Sequence, residues 1–113
     1  MYLGRMAETD VVVALCTCPD EIVAGAIADA LVGGRLAACV NLIGGLRSTY
    51  RWKGEVCCDP EVLLVIKTTT ANLDAVTARV RELHRYELPE LIALPVVGGF
   101  ENYLNWVRES VKS

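Results

Sequence analysis

Apolar runs along the chain predict the strands of a single sheet. Residues 11–16, Val-Val-Val-Ala-Leu-Cys, and residues 62–67, Val-Leu-Leu-Val-Ile-Lys, are apolar at almost every position. Runs of this length and composition are typical of central strands that are covered on both faces. Residues 91–97 predict another strand, which lies at an edge or contains a bulge because Pro95 cannot donate a hydrogen bond to a neighbouring strand.

A long β-hairpin is predicted between the two central strands. Residues 35–43 and 47–55 are extended runs that the pair Gly44-Gly45 would join, and Asp59-Pro60 predicts a break after them. A run of nine residues spans roughly 30 Å as a strand, whereas a compact chain of this size has a radius of gyration of only about 13 Å. An edge this long invites uncontrolled pairing unless it is covered. The pattern therefore favours pairing of identical hairpins in a closed ring.

Three segments with apolar residues at helical spacing predict α-helices. The first has Thr17 or Cys18 as its cap and ends at Gly33-Gly34, the second follows Asn72, and the third covers residues 101–111. The element order is then β-α-β-β-β-α-β-α. Without the extra strand and the final helix it becomes βαββαβ, the order of ferredoxin-like α+β folds, in which two helices cover an antiparallel sheet.

Composition limits the classes of protein that remain. The 113 residues suit one domain over residues 11–113, preceded by a flexible extension over residues 1–10. No apolar run reaches the roughly 18 residues of a membrane span, and the first ten residues lack the apolar region of a signal peptide, so we expect a cytoplasmic protein. The net charge is −3, and acids interleave with Arg79, Arg81 and Arg85. That pattern favours a solvated helix face over a nucleic-acid patch.

Five cysteines and one histidine supply the candidate chemistry. An odd number of cysteines without an export signal favours reduced thiols over a disulfide framework. Neither Cys16-x-Cys18 nor the adjacent Cys57-Cys58 has the spacing of a zinc knuckle, and core packing is the alternative interpretation of each thiol. His84 would be the general base of an enzyme, but no Ser or Asp lies around it in a recognisable pattern. We therefore expect that the protein is not an enzyme.

A set of short motifs resembles one known family. The motifs are Cys16-Thr17-x-Pro19-Asp20, Leu36-Ala37-Ala38-Cys39-Val40-Asn41, Ser48-x-Tyr50-x-Trp52-x-Gly54, Glu61 with Lys67-Thr68, Pro89-Glu90-Leu91, Leu94-Pro95-Val96 and Tyr103-Leu104-x-Trp106. In this order the chain resembles the CutA divalent-cation tolerance family. The resemblance implies a ferredoxin-like homotrimer similar in architecture to the PII signal proteins. It also implies a cytoplasmic role in tolerance to divalent metals, with copper(II) the metal most often named, and no organic cofactor.

The resemblance also implies metal ligands at Cys16 and His84. Thiolate and imidazole are suitable ligands for copper or zinc. Leu83 stands where some members have another histidine, and the cation of Arg85 disfavours a bound metal nearby. The alternative is a buried Cys16 and a His84 that caps its helix. Two ligands make a weak site, so others would complete it: Cys18, Cys39, Glu90 or a neighbouring subunit.

The PII-like architecture implies an alternative function, a regulatory trimer that binds a small anionic ligand or a partner protein in clefts between subunits. No glycine-rich phosphate motif supports a nucleotide. The aromatic residues could instead be interface or core anchors, and Glu61 could form a structural ion pair with Lys67. The candidate cleft or interface residues are Tyr50, Trp52, Lys67, Tyr86, Glu90 and Trp106, with Arg47 and Arg51 as further cationic candidates.

Overall fold

The computed structural model describes residues 9–113. Most of the predicted flexible extension, residues 1–8, lies outside the described residues. A short 3₁₀ turn over Thr70–Asn72 leads into the second helix. Across the described range the elements are β1 (Val11–Cys18), α1 (Glu21–Gly33), β2 (Cys39–Trp52), β3 (Glu55–Thr69), α2 (Leu73–Leu83), β4 (Ile92–Pro95) and α3 (Glu101–Ser110).

The strands form one antiparallel sheet in the order β2-β3-β1-β4. β1 lies between β3 and β4, and β3 lies between β1 and β2, so the two runs predicted to be central are central. β4 is an edge strand, as predicted, and Pro95 is its last residue. The α+β class, the βαββαβ order, the extended hairpin and the C-terminal helix are confirmed.

The hairpin differs from the prediction in where its turn lies. β2 runs continuously through Gly44-Gly45, which form a bulge where the pairing with β3 shifts register. The turn is at Lys53-Gly54, whose φ angles are +50° and +82°. The predicted hairpin of residues 35–43 with residues 47–55 is therefore wrong. A glycine pair supplies the same backbone freedom to a bulge as to a turn, and the sequence pattern does not separate the two.

Asp59-Pro60 does not break the sheet, contrary to the prediction. Both residues lie within β3, where Pro60 pairs with Arg47 of β2. β1 pairs with β3 only from Val62 onward, so β3 has a single neighbouring strand at the proline. A strand that is free along one side tolerates a residue without an N–H. The strand predicted over residues 62–67 is thus the inner half of one long β3, and most of the one predicted over residues 47–55 belongs to β2.

The start of α1 also differs from the prediction. The side chain of Asp20 accepts a hydrogen bond from the Val23 N–H at 2.9 Å, which makes Asp20 the N-cap. Thr17 and Cys18, the expected caps, remain in β1. The capping interaction therefore fixes where the first strand ends and leaves Cys18 inside it.

One face of the sheet packs against α1 and α2 and holds the main core. The opposite face is covered at one end by α3, where Leu104 and Val107 pack on Val11. Elsewhere on that face Ile92 and Leu94 of β4 are 53% and 49% exposed. Within residues 9–113 no helix is long and apolar enough to cross a membrane. The fully buried residues of the main core include Ala14, Cys16, Cys18, Ile27, Leu31, Leu64, Ile66, Val76 and Val80.

Candidate metal centre and the cavity beside it

Cys16, Cys18 and His84 form a buried cluster at the end of β1. The alternation of side chains along a strand directs residues two apart to the same face, so both thiols point towards the helices. α2 ends at Leu83, and its C-cap residue His84 brings the imidazole to the thiols. The potential ligand atoms of the three residues all lie within 4.8 Å of one another. The structure thus brings together the two sequence candidates and adds Cys18, one of the residues expected to complete the site.

Both ring nitrogens of His84 are engaged in hydrogen bonds. Nε2 lies 2.7 Å from the carbonyl oxygen of Thr17, and a carbonyl only accepts, so Nε2 bears the proton and donates. Nδ1 accepts from the backbone N–H of Tyr86 at 3.2 Å. The hydrogen bonds therefore fix a neutral imidazole with its proton on Nε2. To bind a metal, the ring must release one of these two partners.

The two thiols influence each other's ionisation. The contact with the Cys18 thiol, followed by burial, raises the pKa of Cys16 well above its ordinary value, and the charges of Glu90 and Glu61 act in the same direction. The same contact lowers the pKa of Cys18. One proton therefore leaves the pair more readily than the second. A buried thiol–thiolate pair is a soft donor set, which suits copper or zinc.

The departures from the family pattern have visible consequences. Leu83 packs against the main core. The guanidinium of Arg85 forms an ion pair with Asp20, with Nη1 3.1 Å from Oδ2. That pairing neutralises the cation that was expected to disfavour a metal. Cys39 lies on β2 opposite Lys67, outside the cluster.

A cavity of about 690 Å³ lies between the hairpin and the loop that follows α2. Of the predicted cleft residues, Tyr50, Trp52, Tyr86 and Glu90 line it, together with Arg51. The other lining residues are Thr17, Ser48, Thr49, Glu61, Arg85, Glu87 and Leu88.

The remaining cleft candidates lie elsewhere. Lys67 donates a hydrogen bond to the side chain of Asn41, and so does not pair with Glu61. Trp106 lies on α3, 44% exposed, with its ring centroid 5.4 Å from that of Tyr103. Arg47 is outside the lining and donates to the sulfur of Cys58 at 3.3 Å. The cavity therefore gathers most of the aromatic candidates and leaves out two of the three cationic ones.

Glu61 is the buried charge of the cavity. Its residue is 8% exposed, and Oε2 accepts a hydrogen bond from the phenol of Tyr86 at 2.6 Å. Burial and this hydrogen bond raise the pKa of Tyr86. Glu90 accepts from the hydroxyl of Thr17 at 3.3 Å. Sequence reasoning placed Glu61 in either a cleft or an ion pair, and its burial beside Tyr86 could not be inferred from spacing.

The fold and the cluster define a small α+β protein with a long hairpin and a buried thiol–imidazole site. The family model "CutA1 divalent ion tolerance protein" matches residues 12–110. The chain belongs to this CutA1 family.

Relatives and solved structures agree with this assignment. The chain is 53% identical over 98 residues to the divalent-cation tolerance protein CutA of Thermus thermophilus, covering 87% of this chain and 95% of the relative. It is 52% identical over 100 residues to human Protein CutA, covering 88% of this chain but only 56% of that relative, so it spans about half the human protein's length. A structure of the Thermus thermophilus protein superimposes with a TM-score of 0.89 at 51% identity, covering 90% of this chain and 99% of the other.

Proposed function

We propose that this protein confers tolerance to divalent cations as a cytoplasmic homotrimer that binds copper(II), or another divalent cation, at Cys16, Cys18 and His84. The observation that supports the metal site best is the convergence of two sulfurs and one imidazole within 4.8 Å in a buried position. Thiolate and imidazole ligands favour copper and zinc over calcium or magnesium, which prefer oxygen.

Metal binding at this cluster requires two local changes. At least one thiol must lose its proton, and the raised pKa of Cys16 makes the second loss the harder one. His84 must also give up its hydrogen bond to Thr17 or to Tyr86. Because protons leave as the metal enters, the apparent affinity rises with pH.

The protein acts by binding and is not an enzyme in this proposal. His84 is the only histidine of the chain. Its Nδ1 accepts from Tyr86, and its Nε2 is already protonated, so the ring offers no free lone pair to a substrate. That arrangement supports a structural or ligand role for the imidazole over a role as general base.

The trimer is supported by surfaces that the single chain leaves uncovered. One face of the sheet is apolar and only partly covered by α3, and apolar residues of the hairpin such as Ile43 and Val56 are exposed in the single chain. The cytoplasmic location is supported by five cysteines that form no disulfide among the described residues. Relatives differ in compartment, since the rice protein is named as chloroplastic.

Copper(II) titration of protein purified without a histidine tag tests the metal site. We expect one high-affinity site per chain in the wild type, and weaker binding by about tenfold or more in Cys16→Ser, Cys18→Ser and His84→Ala. The Cys58→Ser variant is the matched control, because Cys58 is exposed on the hairpin. Equal affinity in the wild type and all three cluster variants would rule out this site.

A further inference from the structure

We propose that the buried cluster of Cys16, Cys18 and His84 prefers copper(I), a soft monovalent ion, to divalent cations such as zinc(II). The inference rests on the proposed function, because it keeps the metal site and specifies the ion that the site prefers. Cys16 and Cys18 are 0% exposed and His84 is 9% exposed within a single chain. The environment of the cluster therefore does not depend on the surfaces that neighbouring subunits cover.

Sulfur dominates the donor set of the cluster. Two thiols and one imidazole converge, with their potential ligand atoms within 4.8 Å of one another. Thiolates are soft ligands that select copper(I) and zinc, whereas copper(II) and nickel(II) favour nitrogen and oxygen donors in square-planar or tetragonal arrangements. A second imidazole would shift the set towards copper(II), but Leu83, the residue before His84, packs against the main core and offers no donor. The donor set therefore separates copper(I) and zinc from the other candidate ions.

Carboxylate oxygens, the donors that would favour a harder ion, are engaged by other partners. Glu61 accepts a hydrogen bond from the Tyr86 hydroxyl at 2.6 Å, and Glu90 accepts one from the Thr17 hydroxyl at 3.3 Å. Among residues 9–113, neither carboxylate belongs to the group of convergent ligand atoms. A hard oxygen ligand from either residue would cost one of these hydrogen bonds.

The number of donors separates copper(I) from zinc. Zinc in structural sites is almost always bound by four protein ligands, and in catalytic sites by three together with a water molecule. Within the described part of the chain three side chains converge, and the complete burial of both thiols leaves no open position for a water. Copper(I) carries a single charge and accepts low coordination numbers, so two sulfurs and one nitrogen complete its ligand set. The cluster is thus complete for copper(I) and one ligand short for zinc.

One backbone carbonyl preassembles the ligands. The oxygen of Thr17 accepts from His84 Nε2 at 2.7 Å and from the Cys16 thiol at 3.8 Å. Cys18, two residues further along β1, faces the same side of the sheet as Cys16. A site whose ligands are already in place avoids the entropic cost of ordering them. The preference among ions therefore follows from the chemistry of the donors.

Parallel affinity measurements for copper(I) and zinc(II) test the proposal. Under anaerobic conditions the protein competes for copper(I) with bicinchoninate, a chromophoric copper(I) chelator, and for zinc(II) with pyridylazoresorcinol. We expect the wild type to bind one copper(I) ion per chain about a hundredfold or more tightly than zinc(II). The copper(II) titration supplies a second divalent comparison, and its affinity should also be lower than that for copper(I).

Cys18→Ser isolates the role of the second sulfur. Serine is close to cysteine in shape and replaces a soft sulfur by a hard oxygen, so the ratio of copper(I) affinity to zinc(II) affinity should fall by about tenfold or more. A merely structural effect would weaken the binding of both ions alike and leave the ratio unchanged. If Cys18→Ser fails to fold by circular dichroism, Cys16→Ser carries the same expectation.

The matched control removes two thiols that lie outside the cluster. The double variant Cys57→Ser with Cys58→Ser eliminates the other closely spaced cysteine pair of the chain, which lies on the hairpin. It should leave both affinities and their ratio unchanged. A loss of copper(I) binding in this control, with Cys16, Cys18 and His84 intact, would assign copper(I) to the wrong pair of thiols and overturn the proposal.

X-ray absorption spectroscopy of the copper-loaded protein identifies the donor atoms directly. We expect sulfur and nitrogen around copper in the wild type, and one sulfur fewer in Cys18→Ser. Nitrogen and oxygen ligands alone would contradict the preference for a soft ion.

Two affinity results would overturn the proposal. One is a divalent ion that binds the wild type as tightly as copper(I). The other is an unchanged affinity ratio in the folded Cys18→Ser or Cys16→Ser variant. Failure of the proposed function is a different result, in which no ion, monovalent or divalent, responds to Cys16→Ser, Cys18→Ser or His84→Ala. If zinc(II) binding responds to these variants and copper(I) binding does not, the metal site stands and the preference inferred here is wrong.

Discussion

The inner and outer halves of the β2–β3 hairpin belong to the same strands but have different surroundings. In the inner half, residues 62–69 of β3 pair with β1, and residues 63–67 pair with β2 as well; Leu64 and Ile66 are fully buried under the helices. In the outer half, residues 55–60 pair with β2 alone, and Val56 is 67% exposed. An isolated two-stranded ribbon is marginally stable in water. The comparison predicts that the outer half gains stability from the cover that the proposed trimer would supply, whereas the inner half is covered by its own chain.

The largest effect is expected in the inner half, at Ile66. Ile66→Ala leaves a cavity in the main core, so the free energy of unfolding should fall by about 2–5 kcal/mol. Denaturant unfolding monitored by circular dichroism measures it. Ile66→Val, which removes one methyl group, should cost about 0.5–1.5 kcal/mol. Equal losses for the two substitutions would mean that this position is not tightly packed.

A smaller loss is expected at Thr68, in the same half. Its buried hydroxyl donates to the Leu36 carbonyl at 2.6 Å. Thr68→Val leaves that carbonyl without this donor, at a cost of about 1–3 kcal/mol in unfolding free energy. Thr70→Val is the matched control, since the exposed Thr70 hydroxyl also donates to a carbonyl, that of Asp10, at 3.2 Å. A loss at Thr70 as large as at Thr68 would show that burial does not set the cost.

In the outer half, Trp52→Ala should weaken assembly more than it destabilises the fold of one chain. We expect the dissociation constant of the proposed trimer to rise about tenfold, equivalent to about 1.4 kcal/mol, so that the midpoint concentration for dissociation rises about threefold. Sedimentation velocity across a concentration series measures the shift. The control is Ile22→Ala, on α1 and 75% exposed, which should leave assembly unchanged. A wild type that is monomeric at micromolar concentration would show this account of the outer half to be wrong.

The turn between the two strands should gain stability from a better residue at Lys53. Its φ of +50° lies in the left-handed region, which costs most residues roughly 1–2 kcal/mol and asparagine less. Lys53→Asn creates the Asn-Gly pair that such turns prefer, so thermal unfolding should shift upward by a few degrees at most, equivalent to less than about 1 kcal/mol. Arg35 also has a positive φ, +58°, but its guanidinium donates to backbone carbonyls of α3. Arg35→Asn should therefore destabilise the protein.

The smallest effect concerns the outer half at high pH. The hydrogen bond to Asp59, followed by partial desolvation, raises the pKa of Tyr50 to about 12. The neutral phenol is the form that donates, so its contribution is fully present below the ordinary pKa of a tyrosine, about 10. It is lost as the pH rises through about 12. The stability difference between wild type and Tyr50→Phe should shrink over this interval. A difference that is constant with pH would contradict the hydrogen bond.

The sequence contained enough information for the fold but not for the register of the hairpin. Strand runs, helical spacing and the βαββαβ order follow from local pattern, and each was confirmed. Gly44-Gly45 was interpreted as a turn because the choice between turn and bulge depends on pairing with β3, which is not local. Asp59-Pro60 was interpreted as a break because a proline disrupts a strand that is paired on both sides. Whether β3 has a second neighbouring strand at that point depends on the tertiary structure, which the local sequence does not show.

The candidate sites, like the fold, could be predicted from the sequence only where local spacing or motifs determine them. Spacing alone directs Cys16 and Cys18 to one face, and the motif resemblance paired Cys16 with His84. The hydrogen bonds that occupy both His84 nitrogens come from Thr17 and Tyr86, and the first of these is 67 positions away in sequence. No periodicity encodes such a contact. Lys67 and Arg47, expected among the cationic cleft residues, lie outside the lining, because their contacts with Asn41 and Cys58 depend on the pairing of β2 with β3.

Thr17 connects the metal cluster and the cavity through one peptide unit. Its carbonyl accepts from His84 in the metal cluster, while its hydroxyl donates to Glu90 in the cavity. A metal that releases His84 from this carbonyl thus acts on the same residue whose hydroxyl contacts Glu90. Metal entry at the cluster would therefore be transmitted to the wall of the cavity through a single threonine.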